Sequence, residues 1–120
     1  MGRDYRKIKA WKLADELVIL VYKETSYFPK SELYGLTSQI RKAAVSAAAN
    51  IVEGASRKTK LDYLHFLYIS RGSSAEVWYY IHLSRRLGFI EEKKRMKLHN
   101  LQQEVASTLY GLIKSVEKET

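Results

Sequence analysis

Apolar residues recur at steps of three and four along almost the whole chain, and only a few turn signals interrupt them. That spacing stacks side chains on one face of an α-helix and leaves no convincing strand. The first predicted helix spans about Ala10–Thr25, where Trp11, Ala14, Val18, Val21 and Tyr22 form a stripe widened by Leu13, Leu17 and Leu20. Pro29 stops it by disfavouring helical geometry at Phe28, and Ser31 before Glu32 is the expected N-cap of a second helix. The second helix runs to about Gly54, a residue suited to a left-handed C-terminal position. Thr59 and Asp62 have the spacing of a capping box and open a third helix that ends near Leu87, before Gly88. The fourth covers about Glu91–Lys118, with Leu98, Leu101, Val105, Leu109, Leu112 and Val116 as the seam of a bundle helix.

Helices of roughly 25 residues and ~37 Å, joined by short links, predict an all-α, antiparallel up-down-up-down four-helix bundle. A chain of 120 residues, 46% of them apolar, fits one domain over 1–120 that begins with a short basic segment of about 1–9. The N-terminus lacks the apolar core of a signal peptide, and no segment approaches the run of about 20 apolar residues that a membrane span requires. Cysteine is absent, so disulfides and thiolate metal sites are excluded and a cytoplasmic protein with no membrane partner is expected. If the second and third helices turn near Arg57 and Lys58, Ala43 meets Gly72. Close backbone approach there would justify a mid-helix glycine that costs ~1 kcal/mol in propensity. The same register brings Arg41 near Ser74 and Glu76.

The second helix poses the sharpest question. Ser46, Asn50, Glu53 and Arg57 form one polar stripe, extended by Gln39 and Lys42, on a helix whose other sides are alanine, valine and isoleucine. Such a helix wants more than one neighbour. Asn50 and Glu53 are read first as buried hydrogen-bonding groups that fix register or assembly, because an unsatisfied buried polar group costs ~1 to 3 kcal/mol. The alternative is that they line a ligand groove. On the third helix Trp78, Tyr79 and Tyr80 point in directions about 100 degrees apart, so one core cannot cover all three; a subunit interface is the first reading, with stacking on unpaired bases and ordinary bundle packing around one partly exposed tyrosine as the alternatives.

Charge carries the remaining functional content. The chain has 21 basic and 13 acidic residues, a net +8. Candidate phosphate contacts are Arg3, Arg6 and Lys7 at the N-terminus and Arg57 and Lys58 after the second helix. Arg85, Arg86, Lys93, Lys94 and Arg95 flank the last turn. The competing reading is a solvated exterior that serves solubility.

Enzymatic constellations are missing. His65 and His82 would lie roughly 25 Å apart on one helix, and Asp62 with His65 makes only one of the two half-sites a di-iron bundle needs. No phosphate-binding loop, zinc-protease or nucleophile-elbow motif occurs. A non-enzyme without metal or cofactor is expected.

The stretches "YKETSYFPKSELYGLTSQIRKAAVSAAANIVEGASR" and "YLHFLYISRGSSAEVWYYIHLSRRLGFI" resemble the bacterial four-helix-bundle family named for proteins encoded in intervening sequences of 23S ribosomal RNA genes. The informative pieces are Phe28-Pro29, Glu32, Tyr34-Gly35-Leu36, Gln39, Arg41, Ser46, Asn50-Ile51, Glu53-Gly54, Arg57, Phe66-Leu67, Gly72-Ser73 and Glu76. Ala48 departs from the pattern, since many relatives carry proline before the Asn-Ile pair. The resemblance implies a four-helix protomer in a ring-like homo-oligomer, a homopentamer, and a structural role for Gln39, Arg41, Ser46, Asn50, Glu53, Arg57 and Glu76. A distantly similar bundle is a basic, nucleic-acid-binding accessory protein of diversity-generating retroelements.

Three functions are therefore weighed. The first is a non-enzymatic oligomer that binds structured RNA or another nucleic acid through its basic surface. The second is a protein–protein assembly scaffold. The third is an enzyme that uses Asn50, Glu53, Arg57 and Glu76 in a groove.

Overall fold

A computed structural model describes residues 2–120; of the expected basic N-terminal segment, Met1 lies outside them. Four helices make up the body: α1 (Lys9–Thr25), α2 (Leu36–Ala55), α3 (Lys60–Arg86) and α4 (Glu92–Glu117), with no strand among the described residues. Helix α1 packs on α2 and α4, and α3 packs on the same two helices, so the four close a cycle around one core.

The core follows the periodicity. Ala10, Ala14, Leu17 and Val21 bury one face of α1, and Leu98, Val105, Leu109, Ile113 and Val116 bury one face of α4. Ile40, Ile51, Tyr63, Leu67 and Ile81 fill the space between. Each buried leucine, isoleucine or valine among them contributes about 1.5 to 3 kcal/mol relative to exposure, and each alanine less. Leu101 and Leu112, expected in the seam, are only partly buried; Gln102 and Ile113 take the inner positions.

Local chemistry sets the helix ends. Thr59 Oγ1 accepts from the Asp62 N–H at 3.1 Å, the N-cap bond expected of that pair. At the other end of α3, Gly88 has φ +79, its N–H donates to the Arg85 carbonyl, and Phe89 N–H donates to Ser84 at 2.9 Å. This pair of bonds satisfies two orphan carbonyls and turns the chain sharply into α4.

Three expectations are corrected. Helix α2 does not begin after Ser31: Lys30–Glu32 form a 3-10 turn, Gly35 breaks the helix with φ −110 and ψ −116, and Glu32 Oε1 accepts from Leu36 N–H at 3.0 Å. A glutamate side chain thus caps a helix that starts later than the serine implied. Gly54 is not a left-handed terminator; it is buried inside the last turn of α2, where an added Cβ would stand 3.0 Å from both Phe66 Cβ and Tyr63 Cδ1. Gly72, expected against Ala43, faces open space, with nothing within 4 Å of an added Cβ. Ser70 and Ser73 make the close approach instead: Ser70 Oγ donates to the Ala47 carbonyl at 2.6 Å, and Ser46 and Ser73 share a hydroxyl–hydroxyl bond of 2.8 Å.

Candidate nucleic-acid interface

The basic residues fall into two groups. The α2–α3 turn carries Arg57 and Lys58, and the N-terminal segment joins that end because Arg3 N–H donates to the Ala55 carbonyl. The α3–α4 turn carries Arg85, Arg86, Lys93, Lys94 and Arg95. The 27 residues of α3 separate the two turns by about 40 Å at 1.5 Å per residue. No single patch unites all the candidates.

Several of these cations are already engaged. At the N-terminal end, the Arg3 guanidinium lies 4.2 Å from the centre of the Tyr63 ring and pairs with Glu119. Arg6 forms a two-point pair with Asp4, whose carboxyl is held below its ordinary range chiefly by that hydrogen bond. Arg57 pairs with Glu53 at 3.2 Å and sits over Phe66. Lys7 and Lys58 are exposed and without an ion pair among the described residues.

At the other end, Glu92 organises the arginines. Arg95 grips it with two bonds of 2.7 and 2.8 Å, and Arg85 approaches at 3.4 Å while donating to the Ile90 carbonyl. The Arg95 hydrogen bond holds the Glu92 carboxyl low, and Glu92 raises Arg95 in return. Lys94 Nζ lies 4.2 Å from the Tyr27 ring centre. Arg86 and Lys93 stand exposed with no carboxylate partner among the described residues.

The resemblance-derived polar residues also divide. Gln39, Ser46 and Glu76 converge with Lys42, Ser73 and Tyr80 around a cleft of about 190 Å³ between α2 and α3. Asn50 supports its wall by donating to the Ser46 carbonyl at 2.8 Å and to Ser46 Oγ at 3.0 Å. Glu53 and Arg57 are exposed and bind each other instead. Glu53 is thus not buried within the chain's own fold, because its step along the stripe carries it past the edge of the α2–α3 contact. A groove uniting Asn50, Glu53, Arg57 and Glu76 does not form. Arg41 likewise turns from Ser74 and Glu76 toward α1, where it donates to Thr25 Oγ1 at 2.9 Å and covers Tyr22.

The aromatic triplet spreads as its angles require. Trp78, 41% exposed, stacks on His82 and borders an apolar groove of about 390 Å³ with Gln102 and Tyr110 between α3 and α4. Tyr79 faces outward and Tyr80 borders the polar cleft. On the α1–α2 edge a second apolar groove, about 550 Å³, is lined by Tyr22, Leu33, Tyr34 and Val45. Tyr34 is 92% exposed. Sequence reasoning missed this second face, although "SELYGL" places two large apolar side chains beside a helix break.

Among the described residues, no helix is long and apolar enough to cross a membrane. The class defined so far is a four-helix, all-α protein with cations gathered at two ends and uncovered apolar faces on two edges. Within that class, the chain belongs to the 23S rRNA-intervening sequence protein family, whose profile matches residues 6–111. It is also similar to the crystal structure of a protein with unknown function from the S23 ribosomal protein family of Bacteroides thetaiotaomicron VPI-5482. That likeness has a TM-score of 0.79 at 21% identity, covering 88% of this chain and 98% of the other, and it speaks to the fold alone. No curated protein matches the chain.

Proposed function

We propose that this is a non-enzymatic, cytoplasmic, oligomeric four-helix-bundle protein that binds structured RNA through phosphate contacts at its basic ends. The observation that carries the reading is the cationic α3–α4 turn, where Arg86 and Lys93 are exposed without carboxylate partners among the described residues, beside the half-buried Lys94 and Arg95. Cations left without an ion pair are the ones that release counterions when they meet a phosphate. The family takes its name from intervening sequences of 23S rRNA, which makes a structured rRNA fragment the first ligand to test. A chain without cysteine suits a reducing compartment.

The proposed protomer is an up-down-up-down antiparallel bundle. The pairs Ser46–Ser73 and Ala47–Ser70 across α2 and α3, with Ser74–Gln102 and Lys60–Glu117 across α3 and α4, support it by matching rising numbers on one helix to falling ones on the next. Two unlike apolar grooves on opposite edges, α1–α2 and α3–α4, support head-to-tail contact between copies, the geometry that closes into a ring. Five copies is the number the family resemblance implies.

Fluorescence-anisotropy titration of a structured rRNA fragment, a scrambled RNA and duplex DNA across a salt series tests the reading. Binding should fall steeply with salt, favour one RNA at fixed salt, and weaken about tenfold or more when Arg86 and Lys93 are both reversed to glutamate. Unchanged affinity in that variant, or no binding near physiological salt, overturns it. The exposed Trp78 and Tyr34 favour the second reading, a scaffold for another protein, which survives in that case.

A further inference from the structure

The seam that buries α1 steps from Ala10 to Ala14, Leu17 and Val21 by four, three and four, and its next member is Glu24. The periodicity therefore drives a carboxylate inward at the C-terminal end of the helix. Glu24 is 5% exposed, and its Oε2 has no hydrogen-bond partner among the described residues. It is in no ion pair among the described residues. A buried carboxylate oxygen without a donor is costly and calls for an explanation.

Glu24 lines a groove of about 370 Å³ between the end of α1 and the start of α4. Four lysines and two glutamates border it, together with Tyr27. Tyr27 is 68% exposed, and Lys94 Nζ stands over one face of its ring, so a base would stack on the other face or displace the lysine toward its phosphate. The walls therefore ask for three things at once: a donor for Glu24, a planar group for Tyr27 and an anion for the lysines. A simple cation meets only the first and is repelled by the rim. Inorganic phosphate meets only the last and brings a like charge toward Glu24. A nucleotide whose base carries an exocyclic amine supplies all three, provided the base is unpaired so that the amine is free.

We infer that the groove of Glu24, Tyr27, Lys93, Lys94 and Lys97 takes an unpaired nucleotide of an RNA strand whose base carries an exocyclic amine, as cytidine, adenosine and guanosine do, the amine donating to Glu24. The base lies against Tyr27 and its phosphate meets the lysines. Uridine is disfavoured because it presents a carbonyl oxygen where the amine would be. This inference rests on the RNA-binding reading and adds a base preference to it, turning part of the basic end from a phosphate-attracting surface into a site that reads a base.

The test uses the full-length protein and single-stranded oligocytidine, oligoadenosine and oligouridine of equal length, titrated by anisotropy at one salt concentration. Oligocytidine or oligoadenosine should bind about tenfold more tightly than oligouridine. Glu24→Ala should bring the affinities within about twofold by weakening the preferred strand, not by strengthening oligouridine. Should Glu24→Ala fail to fold by circular dichroism, Tyr27→Ala, at an exposed position, should still weaken the preferred strand by about tenfold. Equal, salt-sensitive binding of all three strands by the unaltered protein, or no binding of these strands while the structured rRNA fragment still binds, overturns the inference and leaves the RNA-binding reading intact; no binding to any RNA, the structured fragment included, overturns both. Uniformly tighter binding by Glu24→Ala also overturns the inference, since it would mark Glu24 as a repulsive charge only.

Discussion

The hydroxyls of Ser46 and Ser73 lie 2.8 Å apart across the α2–α3 interface, and the Asn50 amide reaches the same Ser46 oxygen at 3.0 Å. Because Ser73 is buried, replacing it with leucine forces a larger side chain against α2 and should cost about 1 to 3 kcal/mol. Ser46→Ala removes both of these part-buried bonds without adding volume and should cost about 1 kcal/mol. Urea titrations with an unchanged slope and lowered midpoints in that order would agree; a stabilised Ser73→Leu would sink the idea.

Gly54 and Gly72 should respond in opposite directions to alanine. At Gly54 the added methyl meets Phe66, Tyr63 Cδ1 and, at 3.2 Å, the Tyr63 carbonyl oxygen, so a loss of about 1 to 3 kcal/mol is expected despite better helix propensity. At Gly72 the methyl meets nothing, and removing a glycine from the interior of α3 should stabilise by about 0.5 to 1 kcal/mol. Thermal melts of the two variants beside the unaltered protein check both signs.

Thr59→Ala deletes the bond to the Asp62 N–H and should lower stability by about 1 kcal/mol. Thr59→Asp, which can accept the same bond, should recover most of the loss in the same urea titration.

Acid should destabilise the fold in a narrow window. Asp4, Glu92 and Glu117 are held below the usual carboxylate range by hydrogen bonds from Arg6, Arg95 and Tyr68, respectively. A depressed carboxylate contributes stability that is present above its unfolded pKa and lost as pH falls through its folded one, here below about pH 4.5. The groups are exposed, so the change per group is small. Tm measured from pH 7 to 3 should fall less for Glu92→Gln than for the unaltered protein; parallel curves would contradict the assignment.

Under the proposed ring, Trp78→Glu places a charge on the α3–α4 edge and should shift the sedimentation mass toward a single chain while helicity is retained. An unchanged mass would place the contact elsewhere.

Features governed by neighbours in sequence were legible before the fold was known. Thr59 with Asp62, and Gly88 after α3, depend on a few consecutive residues, and the structure uses both as turn chemistry dictates. The roles of Gly54 and Gly72 depend on how α2 and α3 are registered. An error of one residue rotates a helical position by 100 degrees, which exchanges a packed glycine for an exposed one. The start of α2 was hidden because its cap is a Glu32 side chain reaching across Gly35, not the adjacent serine. Of the stripe on α2, Ser46 and Asn50 stayed near α3, while Glu53 paired with Arg57 outside. The groove beside Tyr27 was legible in part, since Glu24 sits in register with the apolar positions of α1. Its lysine wall comes from α4, and only the folded chain joins the two.

The length of α3 has a consequence for the size of any nucleic acid held at both turns. A reach of about 40 Å corresponds to a little more than one helical turn of a duplex. An RNA engaged by one chain at both places should give a footprint of two protected tracts with an unprotected interval between them. Fragments too short to cross that interval would occupy one tract or the other, never both.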